Sequence, residues 1–428
     1  MSGEIIKSER LRESYRRIKH KSGCTICLYP MPKYSTAYAI FGTRYGSVDT
    51  TFKTAKDSDY VTVPEGIAHY LEHKLFENDE CDAFELYAKT GASANAFTSF
   101  DSTAYLFSCS QCFEENLRIL LGFVQEPYFT EENIEKERGI IAQEIKMYLD
   151  DPGTRVFFNC LNAVYHANPV RIDIAGTVES IQKIDKELLY RCYNTFYNPN
   201  NMVLSIAGNF DPDKALEICD ELLKSADDPE LDMIVPKEPE KVREEYIVQQ
   251  LPCAVPLFNL GFKMPLPPKE KQNEDYIVYN IMLEAALGSF SDFYSRLYDE
   301  GLINDTFGVG VFSGRGFFLP NICGESREPK RVKEEIISEL ERLKKDGISR
   351  HAFETVKKMT YGELIAPFNN VENVARGAMQ AEFSGQDIYT NVEITADVRY
   401  EDVEKALEQL DTVNCSLNPK CSASLGTS

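Results

Sequence analysis

The stretch "PEGIAHYLEHKLFEND", from Pro64 to Asp79, places a glutamate between two histidines in the order His-x-x-Glu-His. The commoner metalloprotease motif has the order His-Glu-x-x-His. Because residues three and four apart lie on one face of a helix, His69, Glu72 and His73 would share one stripe in either order. Two imidazoles one turn apart can bind the same metal ion. The pattern therefore predicts a metal site, and a solvated helix face without metal is the alternative.

A third metal ligand is expected on a neighbouring element, because a catalytic zinc usually takes three protein ligands. The segment "TEENIEKERGIIAQEIKMYLDDPG" has an apolar stripe that predicts a helix over Thr130–Leu149. Glu137 and Glu144 fall at the edge of this stripe. A carboxylate beside a core is costly unless a cation or strong hydrogen-bond donors satisfy it. Zinc would satisfy these acids, and a salt bridge to Arg or Lys would do so as well.

Length and charge limit the class of protein. A chain of 428 residues is too long for one ordinary core and predicts two or more domains. The formal net charge of -22 argues against non-specific binding to nucleic acid or to an anionic membrane, since both need a basic surface. No uncharged apolar run reaches about 18 residues, so no membrane-spanning helix is expected. The first residues lack the apolar segment of a signal peptide, and we expect a cytoplasmic protein.

The order of predicted elements divides the chain into two halves. The first half mixes strands with helices, and a charged, proline-rich stretch without periodicity, 227–245, then predicts a linker. The same succession of strands and helices returns after the linker, and 326–349 is similar to 209–226. We therefore expect an α+β fold with two related domains, 1–226 and 246–428.

Twelve cysteines are scattered along the chain, and two pairs have the spacing Cys-x-x-Cys. Together Cys24/Cys27 and Cys109/Cys112 could form a four-thiolate zinc site. However, "GCTICLYP" alternates like a β-strand, which would point Cys24 and Cys27 to opposite faces of a sheet. In a reducing compartment, most of the cysteines are expected to be small buried hydrophobic residues.

Six longer stretches of the sequence, the first of which contains the histidine motif, resemble those of a known family. They are "GIAHYLEHKLFE", "GASANAFTSFDSTAYLF", "YFTEENIEKERGIIAQEIKMYLDDP", "HANPVRIDIAGTVESI", "LYRCYNTFYNPNNMVLSIAGNFD" and "YSRLYDEGLINDTF". With these runs in this order, the chain resembles the pitrilysin/insulysin family of inverted-motif zinc peptidases. It is most similar to the half-length bacterial branch, which is related to mitochondrial processing peptidase. The resemblance implies two related domains with helices on a largely antiparallel sheet, a LuxS/processing-peptidase-like half-clamshell. Two such chains would enclose a chamber.

The resemblance also implies roles for individual residues. His69, His73 and Glu144 would bind Zn²⁺, and Glu72 would be the general base that activates a zinc-bound water. Glu137, seven residues before Glu144, matches the family's second acid, which supports the site without binding metal.

A substrate-binding strand is implied within "ANAFTSF", the first strand of a predicted β-hairpin. In the family this edge takes up an extended peptide as an additional strand. Asn95 and Ala96 would then recognise the peptide, largely through main-chain hydrogen bonds. An ordinary core hairpin is the alternative.

The second half departs from the family pattern at one place. Active members commonly carry an arginine and, seven residues later, a tyrosine that hold the substrate carbonyl. The aligned segment here has Leu297 and Asn304 at those positions, whereas Arg296 and Tyr298 are close but out of register. We therefore expect a second peptidase-like chain as partner, either a heterodimer that supplies the Arg/Tyr pair or a homodimer.

The function that these observations favour is zinc-dependent endopeptidase activity on peptides or unfolded segments in an enclosed chamber. Two other functions fit the same resemblance: a non-catalytic scaffold or assembly subunit, and a metal-stabilised peptide-binding module. The presence of His69, Glu72, His73 and Glu144 together argues against the scaffold, because a scaffold has no physical need for all four.

Overall fold

The structure is a computed structural model that describes residues 3–77 and 83–421. The outer ends of the two predicted domains, and Asp82, where the sequence predicts the start of a helix, lie outside the described residues. The strands are β1 (Glu4–Ser8), β2 (Glu13–Lys19), β3 (Thr25–Pro30), β4 (Ala37–Thr43), β5 (Thr51–Lys53), β6 (Val61–Thr62), β7 (Ser93–Thr98), β8 (Thr103–Cys109), β9 (Met202–Gly208), β10 (Asp232–Met233), β11 (Gln249–Gln250), β12 (Leu257–Phe262), β13 (Gly308–Gly314), β14 (Phe317–Glu325) and β15 (Cys415–Cys421).

Helices connect these strands. They are α1 (Ile67–Leu75), α2 (Ala83–Thr90), α3 (Phe113–Val124), α4 (Glu131–Asp150), α5 (Pro152–Val164), α6 (Val178–Ile181), α7 (Lys186–Phe196), α8 (Pro212–Leu222), α9 (Gln272–Leu287), α10 (Asp292–Asp299), α11 (Pro329–Asp346), α12 (Arg350–Ile365), α13 (Val371–Phe383), α14 (Thr390–Asp397) and α15 (Tyr400–Gln409). None of them, among the described residues, is long and apolar enough to cross a lipid bilayer.

The larger sheet has seven strands in the order β1-β2-β3-β9-β4-β8-β7 and is antiparallel except for the β3–β9 pair. Its central strands β4 and β9 are buried along their whole length. Such strands need cover on both faces. One face forms a hydrophobic core with α1, α3, α4 and α7, and α13 covers the other face. β7 lies at the edge and carries the predicted substrate-binding segment.

The second sheet repeats part of the first. Its order is β11-β15-β12-β14-β13, which corresponds strand by strand to β3-β9-β4-β8-β7. The directions agree as well, because β11 and β15 are parallel while the other neighbours are antiparallel. This correspondence confirms the predicted α+β fold with two related domains, each built on a mainly antiparallel sheet.

The similar segments 209–226 and 326–349 do not occupy equivalent places in the repeat. The first contains α8, which follows β9, whereas the second contains α11, which follows β14. Because β14 corresponds to β8, the counterpart of α11 is α3. Both similar segments are amphipathic helices with a proline in the first turn, Pro212 and Pro329. That arrangement is common in helices generally, so it does not by itself indicate duplication.

The two compact units of the chain interleave along the sequence. Unit 1 contains Met1–Ile145, Asp173–Ile234 and Ile365–Thr390, and unit 2 contains the remaining segments, 146–172, 235–364 and 391–428. Thus α5, from the first half of the sequence, packs on β12 and β15, while α13, from the second half, packs on β3, β4 and β9. One unit boundary, between residues 234 and 235, falls inside the predicted linker.

Each of these two helices approaches its sheet at a glycine. On β4, a Cβ atom at Gly42 would collide with the side chain of Met379 from α13. On β12, a Cβ atom at Gly261 would lie 2.7 Å from Sγ of Cys160 on α5. In both cases the added Cβ atom would lie far closer to the helix side chain than van der Waals contact allows. The two glycines therefore create the space in which each helix packs against its sheet.

The predicted linker has fixed partners within unit 2. Glu238 accepts hydrogen bonds from the backbone N–H groups of residues 166–168. It also pairs with Lys263, whose Nζ lies 2.8 Å from Glu238 Oε2 and donates to the carbonyl of Val164 at 3.0 Å. Lys263 is 4% exposed. A buried ammonium is tolerated when a carboxylate and further acceptors satisfy it, as they do here.

A second buried lysine in unit 2 has no such carboxylate. Lys420 on β15 is fully buried, and its Nζ donates to the side chain of Gln249. Gln249 Oε1 also accepts from Asn159 Nδ2 at 3.0 Å. Within residues 3–77 and 83–421, no carboxylate lies within ion-pair distance of Lys420. Burial, reinforced by the charge of Arg155, lowers the pKa of Lys420 to about 7.

Replacement of the two lysines should therefore change stability in opposite directions. The folded-state pKa of Lys420 lies below the ordinary value of 10.5. Between these pH values the unfolded chain holds a proton that the folded chain has lost, so stability rises with pH. We expect Lys420→Met to raise the melting temperature at pH 7, with an advantage that shrinks towards pH 10.5. Lys263→Met should destabilise by about 1.5–3 kcal/mol, the range for loss of a hydrogen bond to a charged group, because the half-buried carboxylate of Glu238 loses its cation and keeps only its backbone N–H donors. Thermal melts across this pH range test both, and a Lys420→Met chain less stable than wild type at pH 7 would contradict the interpretation.

Candidate metal centre

The helix that carries the histidine motif, α1, begins after a glycine whose backbone conformation and close packing are both restrictive. Gly66 precedes α1 with φ of 87°, and a Cβ atom there would collide with the carbonyl of Ala175. Ser180 Oγ donates to the carbonyl of Glu65 at 2.8 Å. Glycine is the residue that tolerates both the positive φ and the close approach. The segment around Ala175 thus fixes where α1 starts and, with it, where the histidines lie.

Two contacts set the position of α1 relative to α4. The hydroxyl group of Tyr70, which is fully buried, donates to the carbonyl of Ile134 near the start of α4. Nearly one turn further along α4, Glu137 Oε1 lies 2.9 Å from His73 Nδ1. Tyr70 is not among the residues that the sequence pattern predicts for the site. Its position directly after His69 gave no signal, because a buried tyrosine is expected on any core-facing helix.

The predicted ligands converge between these two helices. His69 Nε2 lies 3.6 Å and His73 Nε2 lies 3.4 Å from Glu144 Oε2. One ligand atom from each of these residues lies within 4.8 Å of the other two. No other group of three His, Cys, Asp or Glu side chains in the described parts of the chain has such spacing. The structure thus brings together the three residues that the sequence singled out, whose role as ligands stays a prediction.

The distances fit a divalent cation. With bonds of 2.0–2.2 Å, two ligand atoms of a tetrahedral zinc are about 3.4 Å apart. Burial, and then the charge of His73, lower the pKa of His69 to about 4, so its imidazole is neutral at pH 7. A neutral imidazole is the form that binds a metal. Three electron-pair donors facing one another need a proton or a cation between them, and the donor set is one that zinc accepts.

Glu137 orients His73. Its hydrogen bond to Nδ1 places the proton on that nitrogen and leaves Nε2 directed towards Glu144. Burial lowers the pKa of His73, but the hydrogen bonds to Glu137 and Glu144 outweigh it and raise the pKa to about 10. Burial likewise opposes ionisation of Glu137, and the His73 hydrogen bond nevertheless keeps the pKa of Glu137 below its usual value. Glu137 therefore contacts His73 on the side away from the cluster, and its role in supporting a metal site stays a prediction.

Glu72 lies on the same face of α1 as the two histidines. Its Oε2 accepts a hydrogen bond from Oγ1 of Thr98 at 3.0 Å. Burial raises the pKa of Glu72, and the Thr98 hydrogen bond partly offsets this. Thr98 is not among the residues predicted for the site. The alternation of β7 could have found it, since Thr98 follows Ala96 by two residues and must point to the same face of the sheet.

The segment with Asn95 and Ala96 is the edge strand β7, as the resemblance implies. Asn95 is exposed and Ala96 is partly buried. The N–H group of Ala96 donates to Oδ1 of Asn95 at 2.9 Å. An edge strand leaves one row of main-chain groups unpaired within its sheet, which is the arrangement that strand addition requires. Substrate binding by these two residues stays a prediction.

The cysteine pairs do not form a metal site in the described residues. Cys24 lies in the core on the α1 side of the large sheet, whereas Cys27 lies in the cluster covered by α13. They point to opposite faces, as the alternation predicts. Cys109 is buried and Cys112 is exposed just before α3.

The positions where the family commonly has arginine and tyrosine hold side chains with structural contacts. Leu297 is fully buried in the core of unit 2. Asn304 donates to Glu325 at 2.9 Å. The neighbouring Arg296 pairs with Glu335 at 2.9 Å. Neither Leu297 nor Asn304 has the chemistry to replace an Arg/Tyr pair.

Comparison with known proteins agrees with this geometry. Residues 61–178 match the family description "Insulinase (Peptidase family M16)", and residues 183–360 match "Peptidase M16 inactive domain". A Bacillus subtilis (strain 168) protein, "Uncharacterized zinc protease YmfH", is 39% identical over 409 residues, which are 94% of this chain and 95% of that protein. "Mitochondrial-processing peptidase subunit beta" of Caenorhabditis elegans is 33% identical over 127 residues, 28% of either chain.

A solved structure extends the comparison to three dimensions. The crystal structure of an M16-like peptidase from Alicyclobacillus acidocaldarius has a TM-score of 0.92 and 34% sequence identity. The match covers 96% of this chain and 98% of that one. Similarity over nearly the full length, in both sequence and fold, leaves one assignment: the chain belongs to the M16 peptidase family, in its half-length form.

Proposed function

We propose that the chain is a zinc-dependent endopeptidase that hydrolyses peptides or unfolded segments. The observation that supports this is the convergence of His69, His73 and Glu144 on one point, with the carboxylate of Glu72 on the same helix face. Two imidazole nitrogens and one carboxylate match the ligand set of a catalytic zinc, which needs a further position for solvent.

His69, His73 and Glu144 would hold the ion. When bound, zinc would lower the pKa of a water molecule and polarise the scissile carbonyl group. Glu137 would keep His73 in the tautomer and orientation that this requires. The donor atoms of all three ligands come from two helices that are already fixed against each other, so little reorganisation would accompany binding.

Glu72 would act as the general base and later as the general acid. It would take a proton from the attacking water and deliver it to the leaving amine. Burial raises the pKa of Glu72 from that of an exposed glutamate, which brings it closer to the range suited to both roles. The substrate would lie extended along β7, next to Asn95 and Ala96, and add a strand to the sheet.

A non-catalytic role is the competing proposal. It is favoured by the description "Peptidase M16 inactive domain" for residues 183–360 and by the absence of an Arg/Tyr pair at Leu297 and Asn304. However, the matched region 183–360 contains none of the cluster residues. A scaffold would not need a positioned carboxylate beside two histidines, so we favour the enzyme.

Metal content tests the ligand assignment. Wild type should bind about one zinc ion per chain, and His73→Ala should lose most of it. Glu137→Gln should retain the ligands but bind zinc about 10- to 100-fold more weakly, because His73 loses its orienting partner. Glu132→Gln, an exposed glutamate on the same helix, is the matched control. Equal zinc content in wild type and His73→Ala would contradict the assignment.

The role of Glu72 is tested separately. Glu72→Gln should reduce peptide cleavage by at least about 100-fold, since amide groups cannot accept the proton. Zinc content and peptide binding should stay close to wild type. Cleavage of a mixed-peptide library followed by mass spectrometry, with zinc measured on the same samples, checks this. If Glu72→Gln cleaves as fast as wild type, the enzyme proposal fails; bound but uncleaved peptide in wild type would instead favour a binding module.

We further propose that a second peptidase-like chain supplies the arginine and tyrosine that this chain lacks. The isolated chain should then cleave slowly, and addition of a partner chain that carries both residues should raise the rate. A partner variant with both residues replaced by alanine is the control. Rates that do not change on addition of the intact partner would show that the chain is self-sufficient.

A further inference from the structure

Glu72 has one hydrogen-bond partner among the described residues, the hydroxyl group of Thr98. The bond joins Thr98 Oγ1 to Glu72 Oε2 at 3.0 Å, across the contact between β7 and α1. No described residue donates to Oε1 of Glu72. The two oxygens of this carboxylate therefore differ: one is held by the sheet, and the other makes no hydrogen bond to the described protein.

Thr98 has a second hydroxyl group nearby, on the facing strand of the hairpin. Thr103, its cross-strand neighbour, has its Oγ1 at 3.4 Å from Thr98 Oγ1 and at 2.8 Å from the carbonyl of Tyr45. A hydroxyl group has one proton, and the shorter contact gives the Thr103 proton to Tyr45. Of the two oxygens near Thr98 Oγ1, Glu72 Oε2 at 3.0 Å is closer than Thr103 Oγ1 at 3.4 Å, so Thr98 donates to Glu72. A hydroxyl that donates to an ionised carboxylate forms one of the stronger hydrogen bonds in proteins.

We infer that Thr98 is a positioning residue that holds the Glu72 carboxylate by Oε2 and leaves Oε1 as the atom that exchanges protons. The inference rests on the proposed function, in which Glu72 is the general base. A glutamate on a helix has several rotatable bonds, and an unanchored carboxylate would sample other rotamers. Fixing one oxygen reduces this freedom and keeps the other oxygen within reach of the reacting atoms.

The hydrogen bond is compatible with both protonation states of Glu72. When Glu72 is ionised, Oε2 accepts from Thr98. When a proton is taken up at Oε1, Oε2 is the carbonyl oxygen of the acid and still accepts from Thr98. The Thr98 bond thus persists through a cycle in which Oε1 gains a proton and later loses it. No rearrangement of Thr98 is needed between the two steps.

Two substitutions of Thr98 distinguish the contribution of its hydroxyl group from that of its methyl group. Thr98→Val keeps the shape and removes the donor, and we expect kcat to fall about 10- to 100-fold, the range for loss of a hydrogen bond to a charged group. KM should change by less than about threefold, since the hydroxyl donates to Glu72 and the peptide would bind β7 through main-chain groups. Thr98→Ser keeps the donor and should retain most of kcat. Thr25→Val, on β3 of the same sheet, is the matched control for loss of a strand hydroxyl.

Zinc content and crystal structures of the same variants give a readout that does not depend on catalysis. Zinc content should equal that of wild type, and the Glu72 carboxylate should be displaced or poorly ordered in Thr98→Val but not in Thr98→Ser. The inference is overturned if Thr98→Ser loses as much activity as Thr98→Val, or if Glu72 is equally ordered in both. If wild type cleaves no peptide even with the partner chain present, the proposed function fails, and the crystal structures still decide whether Thr98 positions Glu72.

Discussion

The contact between α1 and α4 is the constraint on which the candidate site depends. Each helix alone carries an incomplete set of candidate ligands, two imidazoles on one and one carboxylate on the other. The hydrogen bond from Tyr70 to Ile134 and the pairing of His73 with Glu137 fix how far α4 is advanced along α1. In that register, Glu144 Oε2 lies 3.4 Å from His73 Nε2 and 3.6 Å from His69 Nε2. A shift by one residue would turn Glu144 about 100° away.

Among the described residues, the repeated strand order is accompanied by candidate metal ligands in one half only. The order and direction of β3-β9-β4-β8-β7 recur in β11-β15-β12-β14-β13, but α9 carries no counterpart of the histidine motif. Each half instead contributes a helix to the other unit, α5 and α13, which pack where Gly42 and Gly261 leave room. Neither unit is therefore complete without a segment from the other half of the sequence.

Buried charges are compensated in different ways in this structure. In unit 2, Lys263 is neutralised by Glu238, whereas Lys420 donates to the neutral side chain of Gln249. In unit 1, buried and partly buried acids and imidazoles gather at one point, which places several acceptors in a small volume. Such a concentration of acceptors is costly unless a cation or protons compensate it, which is the physical reason for treating this cluster as functional.

Periodicity in the sequence was sufficient to place His69, Glu72 and His73 on one helix face, to locate the hairpin, and to select Glu137 and Glu144 on a second helix. These follow from local geometry, because the spacing of residues in a helix or strand fixes which side chains share a face. Contacts between residues that lie far apart in the sequence could not be predicted from such spacing. The pairing of Thr98 with Glu72, the anchoring of Tyr70, and the exchange of α5 and α13 depend on packing between elements, which the tertiary structure alone decides.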